Sequence, residues 1–497
     1  MTFSLTQKPN RKNLLLLFIV AFLVRAAVFQ CYVQYNQRYR QPDSMDYHNC
    51  AMSMMMGTGM HRPDTFTPIF WRTPGYPLFI AFFYNLFGIT SPLFEQNTTA
   101  QKAALWTQIA ISSIIPLLIF VLIYFLTNIL TIAWLTAWIF VFHIGTVLAS
   151  TYLLTEALSL VFFFPFLIFF YKDWRIYGEK KLGDSSPWIW YTILAALCLG
   201  IVAWIRPMGE FVAILTALLT LFLDNRSWKM KLKKIGLFIL IFFLMTAPWY
   251  ARNYRITGKI FFCPMFGPYL NSFCAPKILR DTTSMNLPQS IRYQYKKAKD
   301  AAQKDEITAY RCKKRGCKEM SALKVALPVL KQHPWIFARD WIKEVIKTTL
   351  DLHSYQLVCF SKNSFMYDPL EEFLTVKWSE CIYKQPMPLA MRLLVFLELI
   401  FEILKWVGLL LGAWLFLFIP LFKRFNVSEQ TKKICFLWIK VVPIIGAIVF
   451  MTGGFGYARL RLPIDPLMVM LSLTFWCIYL AKTSLSTQSY GKIKTKK

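Results

Sequence analysis

Hydrophobic positions in this chain are not spaced at amphipathic periods. They gather into runs of about 17–25 residues with few or no charges, the length a helix needs to cross roughly 30 Å of hydrocarbon. About ten such runs occur, at 13–33, 103–126, 130–148, 152–171, 188–205, 211–223, 235–250, 389–421, 434–451 and 462–480. The sixth is short, and the eighth is long enough to hold a span plus an interfacial piece. The pattern predicts an all-α polytopic membrane protein of about ten transmembrane helices, with extracytoplasmic interfacial helices and a largely helical outer loop domain. The first run is read as a retained span and not a signal peptide. Its apolar core is long, it carries Arg25, and no small-residue cleavage site follows it.

The polar intervals set the expected orientation, because Lys and Arg in short loops mark the cytoplasmic side. Lys8, Arg11 and Lys12 precede the first run, and Lys172, Arg175, Lys180 and Lys181 follow the fourth. Arg226, Lys229, Lys231, Lys233 and Lys234 follow the sixth, and Lys423, Arg424, Lys432 and Lys433 separate the eighth from the ninth. Lys492, Lys494, Lys496 and Lys497 close the chain. With ten spans every cluster falls on one side, so both termini are expected in the cytoplasm. Segments 34–102, 263–388 with its flanks and 452–461 then lie outside. This divides the chain into a transmembrane module 1–250 containing the first outer loop, an outer loop domain 251–389, and C-terminal helices with a cytoplasmic tail, 390–497. Residues 251–390 hold 23 Lys/Arg against 12 Asp/Glu. Amphipathic stretches at 291–303 and 335–350 predict helices there. Long loops are translocated whatever their charge, so this basicity reads as contact with lipid headgroups or as recognition of a phosphorylated lipid.

Composition agrees with the pattern. Hydrophobic residues make up 56% of the 497 and charged ones 16%, against about 25% charged in soluble domains. The net charge of +30 is accounted for by cytoplasmic loops and an outer domain facing anionic lipid, so membrane lipids are expected partners and nucleic acid is not. Eight of the 11 cysteines (Cys31, Cys50, Cys263, Cys274, Cys312, Cys317, Cys359 and Cys381) fall in or beside outer segments, where disulfides are permitted. Cys312 and Cys317 are the nearest local pair, and without a histidine at zinc-ligand spacing a metal is disfavoured there.

Candidate chemistry lies at the outer face. Gln41-Pro42-Asp43-Ser44-Met45-Asp46-Tyr47 follows the first run and reads as a helix start. A helix N-cap accounts for Asp43 as well as a functional role does, and Asp46 reads as a solvated first-turn acid. Asp43, Tyr47, Cys50, Ala51 and Met54 share one helical face. Phe70-Trp71-Arg72-Thr73-Pro74-Gly75-Tyr76-Pro77 then forms a rigid turn before an apolar helix ending near Phe87-Gly88. It holds Arg72 at headgroup depth, where either a phosphate or plain snorkelling explains it. His48 and His61 read as polar loop residues, whereas His143 borders an outer loop near Glu156. Glycine-rich phosphate loops, a Gly-x-Ser-x-Gly elbow and a His-Glu-x-x-His motif are all absent, which disfavours ATP-driven transport and serine or zinc hydrolysis.

These pieces, taken in order, resemble a family. The series is Asp43, Tyr47, Ala51, Gly57, Gly59, Arg72-Thr73-Pro74-Gly75-Tyr76-Pro77, Phe87-Gly88, Thr155-Glu156 with Leu158, Arg206-Pro207, Pro248-Trp249, Arg252-Asn253-Tyr254, Gly258, Tyr457, Arg459, Arg461, Leu462 and Pro463. It is similar to the C-type integral-membrane glycosyltransferases, in the branch of dolichyl-phosphate-mannose–protein mannosyltransferases and the bacterial lipid A aminoarabinose transferase. The resemblance implies an inverting transfer of a sugar from a polyprenyl-phosphate donor to a lipid or protein acceptor at the periplasmic face of the bacterial inner membrane. It implies Asp43 as the catalytic carboxylate and Glu156 as a second catalytic acid. Asp46, Tyr47, Arg72, Tyr76, Arg206, Arg252, Arg459 and Arg461 are the implied substrate contacts, although the residues around Arg72 depart from that branch. No cofactor is identified, no metal ligands are assigned, and a divalent cation is left open.

Such chemistry needs a carboxylate to accept the acceptor's proton and cations to hold the phosphate as its charge grows. A secondary transporter or lipid flippase is the alternative from another class. It predicts ionisable residues in mid-span and a repeat between halves, whereas here the inner runs are nearly free of charge, Arg25, Glu398 and Glu402 being among the exceptions, and the halves differ. An O-antigen polymerase or ligase is another polytopic alternative, lacking the early Asp-x-x-x-Tyr and Pro-Gly-Tyr-Pro loop. A noncatalytic scaffold is the third.

Overall fold

The computed structural model describes residues 10–34, 39–41, 43–61, 68–89, 91, 93–96, 98–179, 188–304, 318–354, 389–418, 429–452 and 458–494. Pro42, Cys312, Cys317, Cys359, Cys381 and Tyr457 lie outside them. Among the described residues the chain is helical, with one isolated bridge, His61 to Pro68, and no strands.

Each apolar run coincides with a helix. The first is α1 (Arg11–Val28), extended by a π-helical turn Phe29–Val33. The segment after it contributes α2 (Ser44–Met55) and α3 (Gly75–Leu86). The second run is α4 (Thr98–Ser112) followed by α5 (Ile115–Thr127), which stops where Asn128 turns left-handed at φ 58°. The third is α6 (Leu130–Phe142) and α7 (Ile144–Thr151), and the fourth is α8 (Glu156–Glu179). Then come α9 (Trp188–Ile205), α10 (Met208–Leu223) and α11 (Trp228–Thr257). After α11 lie the one-turn α12 (Phe266–Tyr269), α13 (Ala275–Thr282), α14 (Leu287–Lys304), α15 (Lys318–Gln332) and α16 (Pro334–Leu350). The last three runs are α17 (Leu389–Ala413), α18 (Glu429–Thr452) and α19 (Asp465–Lys494). Pro165, Pro248 and Pro443 sit inside α8, α11 and α18, a placement tolerated in spans whose neighbours re-satisfy the freed carbonyls.

Among the described residues four helices are long and apolar enough to cross a membrane, or five if the bent pair α6–α7 is one span. Met208–Leu223, Leu437–Phe450 and Asp465–Leu480 are shorter apolar helices. The outward faces carry large apolar side chains in the open: Phe222 is 74% exposed, Phe396 58% and Leu244 60%. In water such contiguous apolar surface marks a contact site, and here the contact is lipid. The chain is a multi-pass membrane protein.

The run expected as one span over 130–148 is not straight. It bends by 49° between α6 and α7. His143 is extended there (φ −60°, ψ 114°), and its Nδ1 accepts the Thr146 amide at 3.3 Å, restarting the helix as a cap would. The break leaves the Phe140 carbonyl without its helical partner, and the buried Arg25 of α1 donates to it at 3.5 Å. Beyond α10, Arg226 and Lys234 of the basic cluster are held in ion pairs. Both are buried against Asp173 and Asp224, with Arg226 to Asp173 at 2.7 Å and Lys234 to Asp224 at 3.3 Å.

One ionic hub joins the end of α16 to α17 and α19. Arg461, on the 3₁₀ turn Ala458–Arg461 and 0% exposed, donates to Glu402 of α17 at 2.7 Å and to Asp465 of α19 at 3.0 Å. It also donates to the carbonyls of Thr348, Thr349 and Asp351 at the end of α16, at 3.1, 2.7 and 2.7 Å. Lys405 pairs with Glu402 at 2.7 Å and with Asp465 at 3.3 Å, while Glu398 accepts the amides of His353 and Ser354 at 2.6 and 2.8 Å. Every donor of the Arg461 fork thus faces inward.

Two substitutions check this packing. Arg461→Met leaves Glu402 and Asp465 undercompensated in a dry site, a loss of about 3–5 kcal/mol. It is expected to lower the temperature at which the purified protein aggregates in detergent, and an unchanged unfolding midpoint contradicts the hub. Gly75 is pressed so closely on α9 that a Cβ there meets the Trp204 carbonyl oxygen at 2.7 Å. Gly75→Ala therefore forces the loop before α3 off α9 at a cost of roughly 1–3 kcal/mol, read in the same melt.

Candidate active site

The approach of α2 to α8 begins in the backbone. Tyr39 accepts the Leu153 amide at 2.9 Å, and the Ser44 hydroxyl, itself accepting from the Gln41 amide, donates to the Leu153 carbonyl at 2.9 Å. These bonds lay the chain before α2 along the stretch before α8, which brings Asp43 and Glu156 to one face. Asp43 occupies the N-cap position of α2, yet its side chain makes no capping bond. The helix-cap account of this residue is therefore set aside.

Its carboxylate is instead held by two arginines. Arg72 Nη2 donates to Oδ1 at 2.7 Å and Arg459 Nη2 to Oδ2 at 2.9 Å. Arg72 is also bound to Asp46, through Nε at 3.1 Å and Nη2 at 2.9 Å, and Asp46 further accepts Trp71 Nε1 at 3.2 Å. Asp46 is thus a partner of Arg72, where the sequence read a solvated acid. The guanidinium lies over the Tyr47 ring, 4.9 Å from its centre, and donates to the Tyr47 hydroxyl at 3.3 Å. Glu156 completes the cluster, 3.3 Å from Arg206 and 3.9 Å from Arg459. Burial pushes the Asp43 carboxyl up, but Arg72 and then Arg459 outweigh it and hold it well below the usual carboxylate range.

The other expected contacts divide. Tyr76 is fully buried; its ring meets Tyr47 edge-on at 5.1 Å, and its hydroxyl donates to Gln108, which in turn ties down the carbonyls of Ser150 and Tyr152. Tyr76 is the wall behind Tyr47. Arg252 stands apart from the cluster, donating to the carbonyls of Ile69 and Met60 at 3.2 and 2.9 Å and so pinning the first outer loop to α11. Arg461 is in the hub, its donors spent on Glu402, Asp465 and backbone carbonyls. His48 is buried on Tyr84 at 2.9 Å, and His61 lies in the bridge to Pro68. Trp71, Gln108, His353 and Lys405 were not singled out from the sequence. The last had a signal: Glu398, Glu402 and Lys405 recur at helical spacing inside an apolar run.

One trio has metal-ligand proximity. His143, His353 and Asp465 are buried, with donor atoms within 4.8 Å of one another. Their surroundings do not fit a cation. A ligating imidazole donates its second N–H to an acceptor, but His143 Nδ1 accepts from Thr146, and His353 Nδ1 is buried without a partner. Asp465 is already shared by Lys405, Arg461 and His353.

No family model and no curated protein matches this chain. Solved structures do. The apo oligosaccharyltransferase of Archaeoglobus fulgidus aligns with a TM-score of 0.51 at 14% identity, over 97% of this chain and 52% of that one. The same enzyme tethered to an acceptor peptide gives 0.47 at 11%, over 96% and 51%. ArnT from Cupriavidus metallidurans bound to undecaprenyl phosphate gives 0.37 at 12%, over 92% and 78%. The chain spans about half the length of the oligosaccharyltransferase it matches. It shares the fold of that enzyme, a C-type membrane glycosyltransferase, which is the fold the sequence resemblance implied.

Proposed function

We propose that this protein is an inverting glycosyltransferase, moving a sugar from a polyprenyl-phosphate donor to a hydroxyl of a lipid or protein acceptor at the periplasmic face of the bacterial inner membrane. The observation that carries the reading is a partly exposed carboxylate, Asp43, flanked by Arg72 and Arg459 from opposite ends of the chain. The shared fold supports it at the level of architecture.

In this reading the segment 1–250 with loop 34–102 supplies the acids, 251–389 is the outer domain, and 390–497 supplies Arg459. Asp43 takes the proton of the acceptor hydroxyl as its oxygen bonds the anomeric carbon. The bond from that carbon to the phosphate oxygen breaks, and the electron pair leaves with the phosphate. The departing lipid phosphate gains negative charge, which Arg72 and Arg459 are placed to stabilise more strongly than in the ground state. A phosphate is already a good leaving group, so no general acid is required. Glu156, between Arg206 and Arg459, orients the latter. Membrane lipids and the donor's prenyl chain share the same hydrocarbon, so the donor reaches the cluster from the outer leaflet.

The test is incubation of purified protein in nanodiscs with labelled polyprenyl-phosphate sugars and extracted envelope acceptors. Asp43→Asn is expected to lower transfer by about 10²–10⁴-fold, the usual contribution of a general base, with a normal elution profile. Full activity in that variant removes Asp43 as base, and failure to consume any donor favours a transporter or scaffold.

A further inference from the structure

The three acids of the cluster (Asp43, Asp46 and Glu156) are matched by three arginines (Arg72, Arg206 and Arg459). Among the described residues of the cluster, the acids and the arginines balance in charge. Both oxygens of Asp43 accept a guanidinium N–H, which leaves the carboxylate ionised but poorly basic. Arg72 Nη2 and Arg459 Nη2 are the groups turned on Asp43, so a lipid phosphate that takes those same N–H donors must take them from Asp43.

We infer that Asp43 and the donor phosphate compete for Arg72 and Arg459, so that the resting base is clamped and donor binding releases it. The inference rests on the glycosyl-transfer reading and adds its control. Arg459 is the outward member of the clamp, 30% exposed against 15% for Arg72. Arg72 keeps Asp46 when Asp43 lets go, so its position is retained through the exchange. Arg459 is carried by the turn whose other arginine, Arg461, is fixed in the hub, so the side chain swings while its backbone stays. The base is therefore free only while a phosphate occupies the arginines, and proton abstraction is confined to the loaded enzyme.

The experiment measures binding of a polyprenyl phosphate, without sugar, to the full-length protein in nanodiscs. Removing the competitor is expected to tighten binding, so Asp43→Asn binds about tenfold more tightly than wild type, the scale of one charge-assisted bond. Asp46→Asn removes the same charge without opening the clamp and is expected to change binding less than about threefold. In an Arg459→Gln background the gain from Asp43→Asn is expected to fall below about threefold, as a coupled pair requires. Unchanged or weaker binding in Asp43→Asn overturns the clamp, and so does equal tightening by Asp43→Asn and Asp46→Asn. If neither wild type nor Asp43→Asn binds the lipid phosphate, the donor assignment falls and the clamp falls with it. A second measurement needs no variant. The acid limb of kcat/KM reports the free enzyme and that of kcat the loaded one, so the kcat limb is expected at the higher pH, and coincident limbs overturn the clamp.

Discussion

A charge at the edge of hydrocarbon must be paired, and the arrangement of this protein follows from that constraint. An isolated carboxylate or guanidinium there costs several kcal/mol, so Asp43, Glu402 and Asp465 are each drawn to a base on another element. Asp43 draws in Arg72 from the loop before α3 and Arg459 from the turn before α19. Asp465 and Glu402 draw in Arg461 and Lys405. Because the partners come from separated segments, satisfying the charges also fixes how those segments meet.

The two clusters have different chemistry because water reaches only one of them. The hub is fully buried and its arginine is spent on carboxylates and carbonyls, which makes it a brace. The cluster at Asp43 has side chains up to about a third exposed, so its pairs can be exchanged for those of an incoming anion. Arg459 and Arg461 lie two residues apart on one turn and serve the two clusters separately. Residue type alone does not tell them apart; solvent access does.

The helices were legible in the sequence because burial in lipid demands long uninterrupted apolar runs, and each run coincides with a helix. The bend at His143 was not, since it depends on a histidine side chain replacing a helical bond and on an arginine of α1 covering the freed carbonyl. In the site, Asp43, Arg72, Glu156 and Arg206 stood out by type and by position at the outer face. What the sequence left hidden was their pairing. Asp46 gave no sign of holding Arg72, and nothing near Arg252 in the sequence marked Met60 and Ile69, whose carbonyls it reaches. Contacts between distant segments leave no local periodicity to read, so a basic residue near a helix end looks alike whether it meets a carbonyl, a carboxylate or a ligand.

Asp43 and Arg459 are 416 positions apart. A chain synthesised from its amino end threads α1 and the first outer loop long before α19 exists. While the intervening 416 positions are made, the nascent protein holds its acid without the second arginine, and the pair closes only when the turn before α19 reaches the bundle. Insertion of the segment that carries Arg459 assembles the site, so a chain terminated before it retains the carboxylate but not the partner that tempers it.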